Sequence, residues 1–259
     1  MRETITPRMA TASRISVLGC PVDVLDMDAT VQRVRQAIET RVSLRHSCVS
    51  AAKLNRMHHD SALRQAVRSS DIISADGAGV LWAAKMLGQV VPPRVTGIAL
   101  FLQLVRLAAN SGWPIFLLGD REPVVAAVAN KLRHAYPTLQ LAGYHHGFFD
   151  DEQAVVAQIR DAKPALLFVA MGTPRQEVFL HAHQSALQAG FSMGVGGSFS
   201  VVANVARRTP PALGDLGLEW LHRLAQDPSR LMRRNVVEHG GFISKVVRAR
   251  LGLYTSMHD

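Results

Sequence analysis

A lone acid, Asp76, stands in Ser74-Ala-Asp76-Gly-Ala-Gly79, between a short apolar run and a Gly-x-Gly turn. A carboxylate held there, with little bulk around it, can take a proton from an attacking hydroxyl. A well-placed base of this kind contributes about 10²–10⁴ in rate. The same acid can equally cap a helix beginning near Ala78. A second group lies near the C-terminus, where Arg223, Arg230 and Arg233 follow Gly217-Leu-Glu-Trp220 and flank the pair Asp227-Pro228. Offsets of seven and then three residues bring guanidiniums toward one side of a helix if the break at Pro228 is mild. Forked cations on one side suit a diphosphate, whose oxygens accept bidentate contacts. A solvated basic face is the plainer account of the same residues.

Three further turns carry residues able to meet a ligand. Gly119-Asp120 follows an apolar run and forms a tight strand-to-helix turn with room for a ribose or base. In Gly172-Thr-Pro-Arg-Gln-Glu177, Pro174 suits a first helical turn and Glu177 the positive helix end, which leaves Gln176 for a ligand. In Gly194-Val-Gly196-Gly197-Ser198, backbone N–H groups entering a helix can cradle an anion, with the Ser198 hydroxyl as an added donor. Many buried turns use glycine only for space.

These turns need a scaffold, and the hydrophobic pattern supplies one. Short apolar runs predict strands at Ile15–Leu18, His46–Ser50, Asp71–Ser74, Ile115–Leu118, Leu139–Tyr144, Leu166–Ala170 and Phe191–Val195. Helical patterns fall between them, over 28–41, 53–68, 78–87, 98–111, 123–135, 152–161 and 175–189. Such alternation predicts an α/β, Rossmann-like fold, mostly parallel, with helices on both faces and ligands at the carboxyl ends of the strands. After Val205 only helical periodicity continues. The chain therefore divides into a catalytic domain over 1–206 and a basic helical appendage over 207–259. In the last stretch Phe242, Ile243, Val246, Val247 and Leu251 share one face, flanked by Lys245, Arg248 and Arg250. That pattern fits a helix lying on lipid headgroups, and fits a helix packed on the core equally well.

Composition narrows the partners. Net charge is +9, and residues 207–250 hold nine Arg or Lys against four acids, which is +5 of it. An anionic partner follows: nucleic acid, anionic lipid or a phosphorylated substrate. Base-stacking aromatics on a basic face are lacking, which argues against nucleic acid. Cys20 and Cys48 give neither a disulfide framework nor zinc spacing, and both are expected as small buried thiols. His181 and His183, two apart on a helix, point to different faces. A Rossmann-type dinucleotide-binding oxidoreductase is the alternative, but Trp82 stands where the third fingerprint glycine belongs.

Seven blocks, in order, carry a resemblance. They are Asp76-Gly-Ala-Gly-Val80, Arg94-Val-Thr96-Gly97, His146-Gly-Phe148, Gly172-Thr-Pro-Arg-Gln-Glu177, Gly194-Val-Gly-Gly-Ser-Phe199, Arg208-Thr-Pro210, and Gly217-Leu-Glu-Trp-Leu-His-Arg-Leu224 through Arg234. From about Ser50 to Arg234 the chain resembles the WecG/TagA/CpsF glycosyltransferase family. The resemblance implies an inverting enzyme that moves a hexose from a UDP-sugar donor to a polyprenyl-diphosphate-linked saccharide, with no cofactor and no obligatory metal. Asp76 would be the base, and Arg223, Arg230 and Arg233 would neutralise the departing UDP. Arg94, Thr96, Gln176 and the Gly194–Ser198 turn would line the donor site. The appendage would rest on an anionic membrane surface, placing the protein in the cytoplasm on the inner face of the cell membrane. A homo-oligomer stays open. The family usually has Asn at Ser50, Asp at Ala99 and at Ser200, and Gly at Asn204. Those departures put the donor sugar in question between N-acetylmannosamine or its uronate and glucose, as in exopolysaccharide assembly, with a slight preference for glucose.

Overall fold

The computed structural model describes residues 13–90, 94–205 and 240–253, and the features below are those of these residues. The first two strands, β1 (Arg14–Val17) and β2 (Cys20–Asp23), form an antiparallel hairpin apart from the main sheet. Ile15–Leu18 was expected to join the parallel sheet. Leu18 and Gly19 instead both take positive φ, +52° and +82°, the conformation of a two-residue hairpin turn. β2 was not foreseen, because Cys-Pro-Val-Asp is too short and too polar to read as a strand.

The main sheet contains β3 (Leu44–Val49), β4 (Ile72–Ala75), β5 (Ile115–Gly119), β6 (Leu141–His145), β7 (Leu166–Ala170) and β8 (Phe191–Gly194). All pairings are parallel, in the order β4-β3-β8-β7-β5-β6. β3, β5 and β7 are buried along their whole length; β5 and β7 are near-continuous apolar runs, as suits strands covered on both faces, whereas β3 buries the polar side chains of Arg45, His46 and Ser47. The edge strand β6 is only half-buried.

Helices cover both faces. α1 (Met27–Glu39), α5 (Gly97–Ser111) and α6 (Glu122–Ala135) pack with Leu117, Phe168 and Phe191 on one side. α7 (Glu152–Ala162) and α8 (Arg175–Leu187) pack with Phe116, Leu118 and Val169 on the other. The predicted helix over 53–68 is two helices, α2 (Ala51–Met57) and α3 (Ser61–Arg68). Asp60 breaks the run, because its carboxylate accepts from the Leu63 N–H and caps a new start. α4 (Ala78–Met86) and the short α9 (Ser198–Val202) complete the domain.

A helix over 240–250 packs back onto the hairpin, α2 and α4. The five apolar residues Phe242, Ile243, Val246, Val247 and Leu251 of this stretch do not act as one face. Phe242 and Val246 enter the core, while Ile243, Val247 and Leu251 stay exposed. No helix among the described residues is long and apolar enough to cross a membrane.

Candidate active site

Parallel register aligns the strand ends at one rim. Val49 lies opposite Ala75, Val169 opposite Gly194, and Gly119 opposite Ala170. The turns after β4, β3, β8, β7 and β5 therefore open along one edge. From β4 to β5 there are four strand spacings, roughly 19 Å at about 4.8 Å each. Asp76 stands at one end of this cleft, Asp120 at the other, with Gln176 and the Gly194–Ser198 turn between them.

Asp76 does not cap α4. Gly77 occupies the N-cap position, with no side-chain cap bond, and at φ +98° it takes a conformation open to glycine. The Asp76 Oδ2 instead accepts from the Gly97 N–H at 3.2 Å. That bond brings the segment Arg94–Thr96 to the carboxylate, and Thr96 starts α5 by accepting from the Ala99 N–H. Thr96, the residue before Gly97, is thus beside Asp76, and Arg94 lies two residues further back along the chain. Arg94 and Asp76 are both half-buried.

Beneath the cleft lies a feature that residue-by-residue reading missed. Lys53 Nζ pairs with Glu177 Oε1 at 2.7 Å, and both side chains are shielded from solvent. Lys53 also donates to the Cys48 carbonyl at the end of β3. The same Glu177 oxygen accepts from Gln176 Nε2 at 2.8 Å and from Thr173 Oγ at 3.3 Å. Gln176 Oε1 in turn accepts from the Gly196 N–H at 3.0 Å. One chain of contacts therefore joins β3, α2, α8 and the turn after β8. Burial acts to lower the Lys53 ammonium, but the Glu177 carboxylate outweighs it, with smaller help from Cys48 and Asp76, and leaves it raised. Burial acts to raise Glu177, and Lys53 with the Gln176 amide outweighs that and leaves it lowered. Sequence placed Glu177 only at a helix start; its partner is 124 residues away.

The Gly-rich turn is engaged from within. Gly196 donates to Gln176, and the Ser198 hydroxyl and N–H both go to the Val195 carbonyl. Gly197 follows Gly196 at the start of α9. Gly194 has no room for a side chain, since a Cβ would lie 2.7 Å from Gln176 Cδ. At the other end, a Cβ on Gly119 would lie 2.5 Å from the Ala170 backbone, and φ there is +129°. Asp120 follows at φ +54°, its Oδ1 accepting from the Arg121 N–H and its Oδ2 from the Ser200 hydroxyl at 2.7 Å. Ser200 thereby secures the acid at the cleft's far end.

Arg223, Arg230 and Arg233 lie outside the described residues. Cys20 and Cys48 are both buried, and burial raises the Cys20 thiol to about 12. His181 and His183 diverge as expected, toward Ser69 and Glu152. Among the described residues no three His, Cys, Asp or Glu side chains converge.

A parallel sheet whose strand ends present the Asp76 carboxylate and a glycine turn is a frame suited to group transfer. The chain belongs to the glycosyl transferase WecG/TagA/CpsF family, whose model matches residues 15–256, and it is a glycosyltransferase. Its relatives include the N-acetylglucosaminyldiphosphoundecaprenol N-acetyl-beta-D-mannosaminyltransferase of Bacillus subtilis (strain 168), 35% identical over 165 residues, or 64% of each chain. The protein of the same name from Staphylococcus aureus (strain MW2) is 30% identical over 250 residues, 95% of this chain and 97% of its own.

Proposed function

We propose that this protein is an inverting glycosyltransferase that moves a hexose from a UDP-sugar to a polyprenyl-diphosphate-linked saccharide. The observation that carries the reading is Asp76 at the sheet rim, freed from helix capping and tied to Gly97. The relatives' names describe a β-linked sugar added to a diphosphoundecaprenol-linked acceptor. A β product from an α-linked nucleotide sugar needs one displacement with inversion, and hence a base for the acceptor hydroxyl.

In this reading Asp76 takes the proton of the acceptor hydroxyl as that oxygen attacks the anomeric carbon. The bond from that carbon to the UDP oxygen breaks on the opposite face. Negative charge grows on the diphosphate, and Arg223, Arg230 and Arg233 from the 207–259 appendage stabilise it. Arg94, Thr96 and the Gly196-Gly197 turn line the donor's sugar and phosphates, with Gln176 and Ser198 shaping that turn from beneath, and Gly119 and Asp120 line its nucleoside. The spread of these groups along the rim supports that order. The acceptor is a membrane lipid, so the protein works at the inner face of the cell membrane, with the basic appendage against anionic lipid.

The relatives' names favour N-acetylmannosamine as the sugar moved. The departures at Ser50, Ala99 and Ser200 favour a different hexose, with glucose and exopolysaccharide assembly as the second reading. The test is a panel of UDP-sugars supplied with polyprenyl-diphosphate mono- and disaccharides, followed by mass spectrometry. A mass gain of one hexose or N-acetylhexosamine is expected with one donor. No gain with any pair overturns the proposal.

A further inference from the structure

α4 begins two residues after Asp76 and carries two sets of side chains. Val80, Ala83 and Ala84 enter the core, and Trp82 and Met86 stay exposed at 41% and 38%. The helix over 240–250 lies beside it, held by Phe242 and Val246 in the shared core and by Lys245 donating to Asn55 Oδ1. Between the two helices runs an open groove of about 440 Å³, lined by Trp82, Met86, Lys85 and Arg250. No acid occurs over residues 78–90 or 240–253, whereas Lys85, Lys245, Arg248 and Arg250 do. An aromatic and a thioether between cations match a ligand with an apolar body and an anionic head.

The groove's position relative to Asp76 selects among such ligands. At about 1.5 Å per residue, Trp82 and Met86 lie roughly 6 and 12 Å along the axis from Ala78. An acceptor with its hydroxyl at Asp76 has its sugar at the start of α4. Its diphosphate and then its lipid must leave from there. From the juxtaposition of Trp82, Met86, Lys85 and Arg250 beyond Asp76, we infer that this groove seats the first isoprene units of the acceptor, with Lys85 and Arg250 beside its diphosphate. This rests on the function proposed above and adds a second contact site to it. The apolar chain is thereby gripped by the protein itself, and the lipid's reactive end is held at a fixed distance from the base.

Trp82 is a built-in reporter. Farnesyl diphosphate titrated into the full-length protein, with Trp82→Phe subtracting the other tryptophans, is expected to give a saturable change in Trp82 emission. Its affinity should exceed that of inorganic pyrophosphate or farnesol by about tenfold, ~1.4 kcal/mol. Met86→Glu places a charge in the groove and should weaken farnesyl diphosphate at least tenfold while leaving UDP affinity unchanged; Met86→Gln serves if the first variant melts early. Farnesyl diphosphate bound no more tightly than pyrophosphate, or unaffected by both variants, overturns the inference. So does a result in which only anionic phospholipid vesicles respond to Met86, since the face is then a seat for the bilayer. A transfer assay separates this failure from that of the proposed function. If N-acetylglucosamine diphosphates bearing a prenyl chain and a short alkyl chain are extended with equal KM, the groove is wrong and the activity stands. If neither is extended with any donor, the activity itself is wrong.

Discussion

Lys53 and Glu177 meet at 2.7 Å under the floor of the cleft, joining the first turn of α2 to the first turn of α8. Because Glu177 also holds the Gln176 amide, the pair determines which way that amide faces: nitrogen toward Glu177, oxygen toward Gly196. Lys53→Met leaves a carboxylate buried without its cation, a loss of about 3–5 kcal/mol. Adding Glu177→Leu should recover much of it, because the uncompensated charge is then gone. Chemical denaturation of the two variants checks this. Equal stability of single and double variants would contradict it.

Asp76→Asn preserves shape and an acceptor for the Gly97 N–H but cannot take a proton. Transfer should fall by about 10²–10⁴, with UDP affinity and melting temperature close to the parent. Product formation and a UDP titration on the same preparation measure both. Transfer within a few-fold of the parent would remove Asp76 from the chemistry.

Gly194→Ala directs a methyl at the Gln176 side chain, whose tip is the part able to move. The amide should swing away from Gly196 for about 1–3 kcal/mol of stability, with the KM for the donor rising. Combined with Gln176→Ala the substitution should cost little more, since the two share one contact. Additive losses in the double variant would show that Gly194 acts elsewhere.

Three histidines make stability depend on pH with one sign. Burial, then the Lys53 charge, lowers His46 to about 3; its Nε2 meets Ser74 Oγ at 2.9 Å. Burial, then Lys245, His59 and Arg64, lowers the less buried His58 to about 4, and burial and Arg45 lower His181. Each folded value is below the unfolded value of about 6.5, so the unfolded chain binds protons first as pH falls. Stability is therefore full above about pH 6.5 and declines toward pH 4. Denaturation at pH 7 and pH 5 should show the decline, and His46→Gln should flatten it. A steeper slope in that variant would refute the assignment.

Arg223→Ala, Arg230→Ala and Arg233→Ala should each lower kcat. A charge-assisted hydrogen bond of about 1.5–3 kcal/mol corresponds to roughly 10- to 150-fold. Melting temperatures should stay near the parent. A large fall in melting temperature with unchanged kcat would give these residues a structural role.

Local pattern decided most of the elements. β7 falls on the residues expected, Leu166–Ala170, because this strand, covered on both faces, is apolar throughout. Asp76, Gly119 and Gly194 were legible at strand ends and turns for a similar reason: such positions restrict residue type locally. The hairpin of β1 and β2 was not legible, since two positive-φ residues at Leu18-Gly19 redirected a strand that alternation alone assigns to the sheet. Nor was the break at Asp60, where a cap overrode continuous helical periodicity.

The chain's own order of residues settled that Asp76 follows a strand and precedes a helix; whether it caps that helix depended on Gly97, 21 residues on. Likewise it settled that Phe242, Ile243, Val246 and Val247 share a helix, while packing against α2 and α4 chose which two go inside. The Lys53–Glu177 pair belongs wholly to the tertiary structure. Side chains separated by more than a hundred residues meet only when parallel pairing places β3, β8 and β7 side by side, and no local periodicity encodes that adjacency.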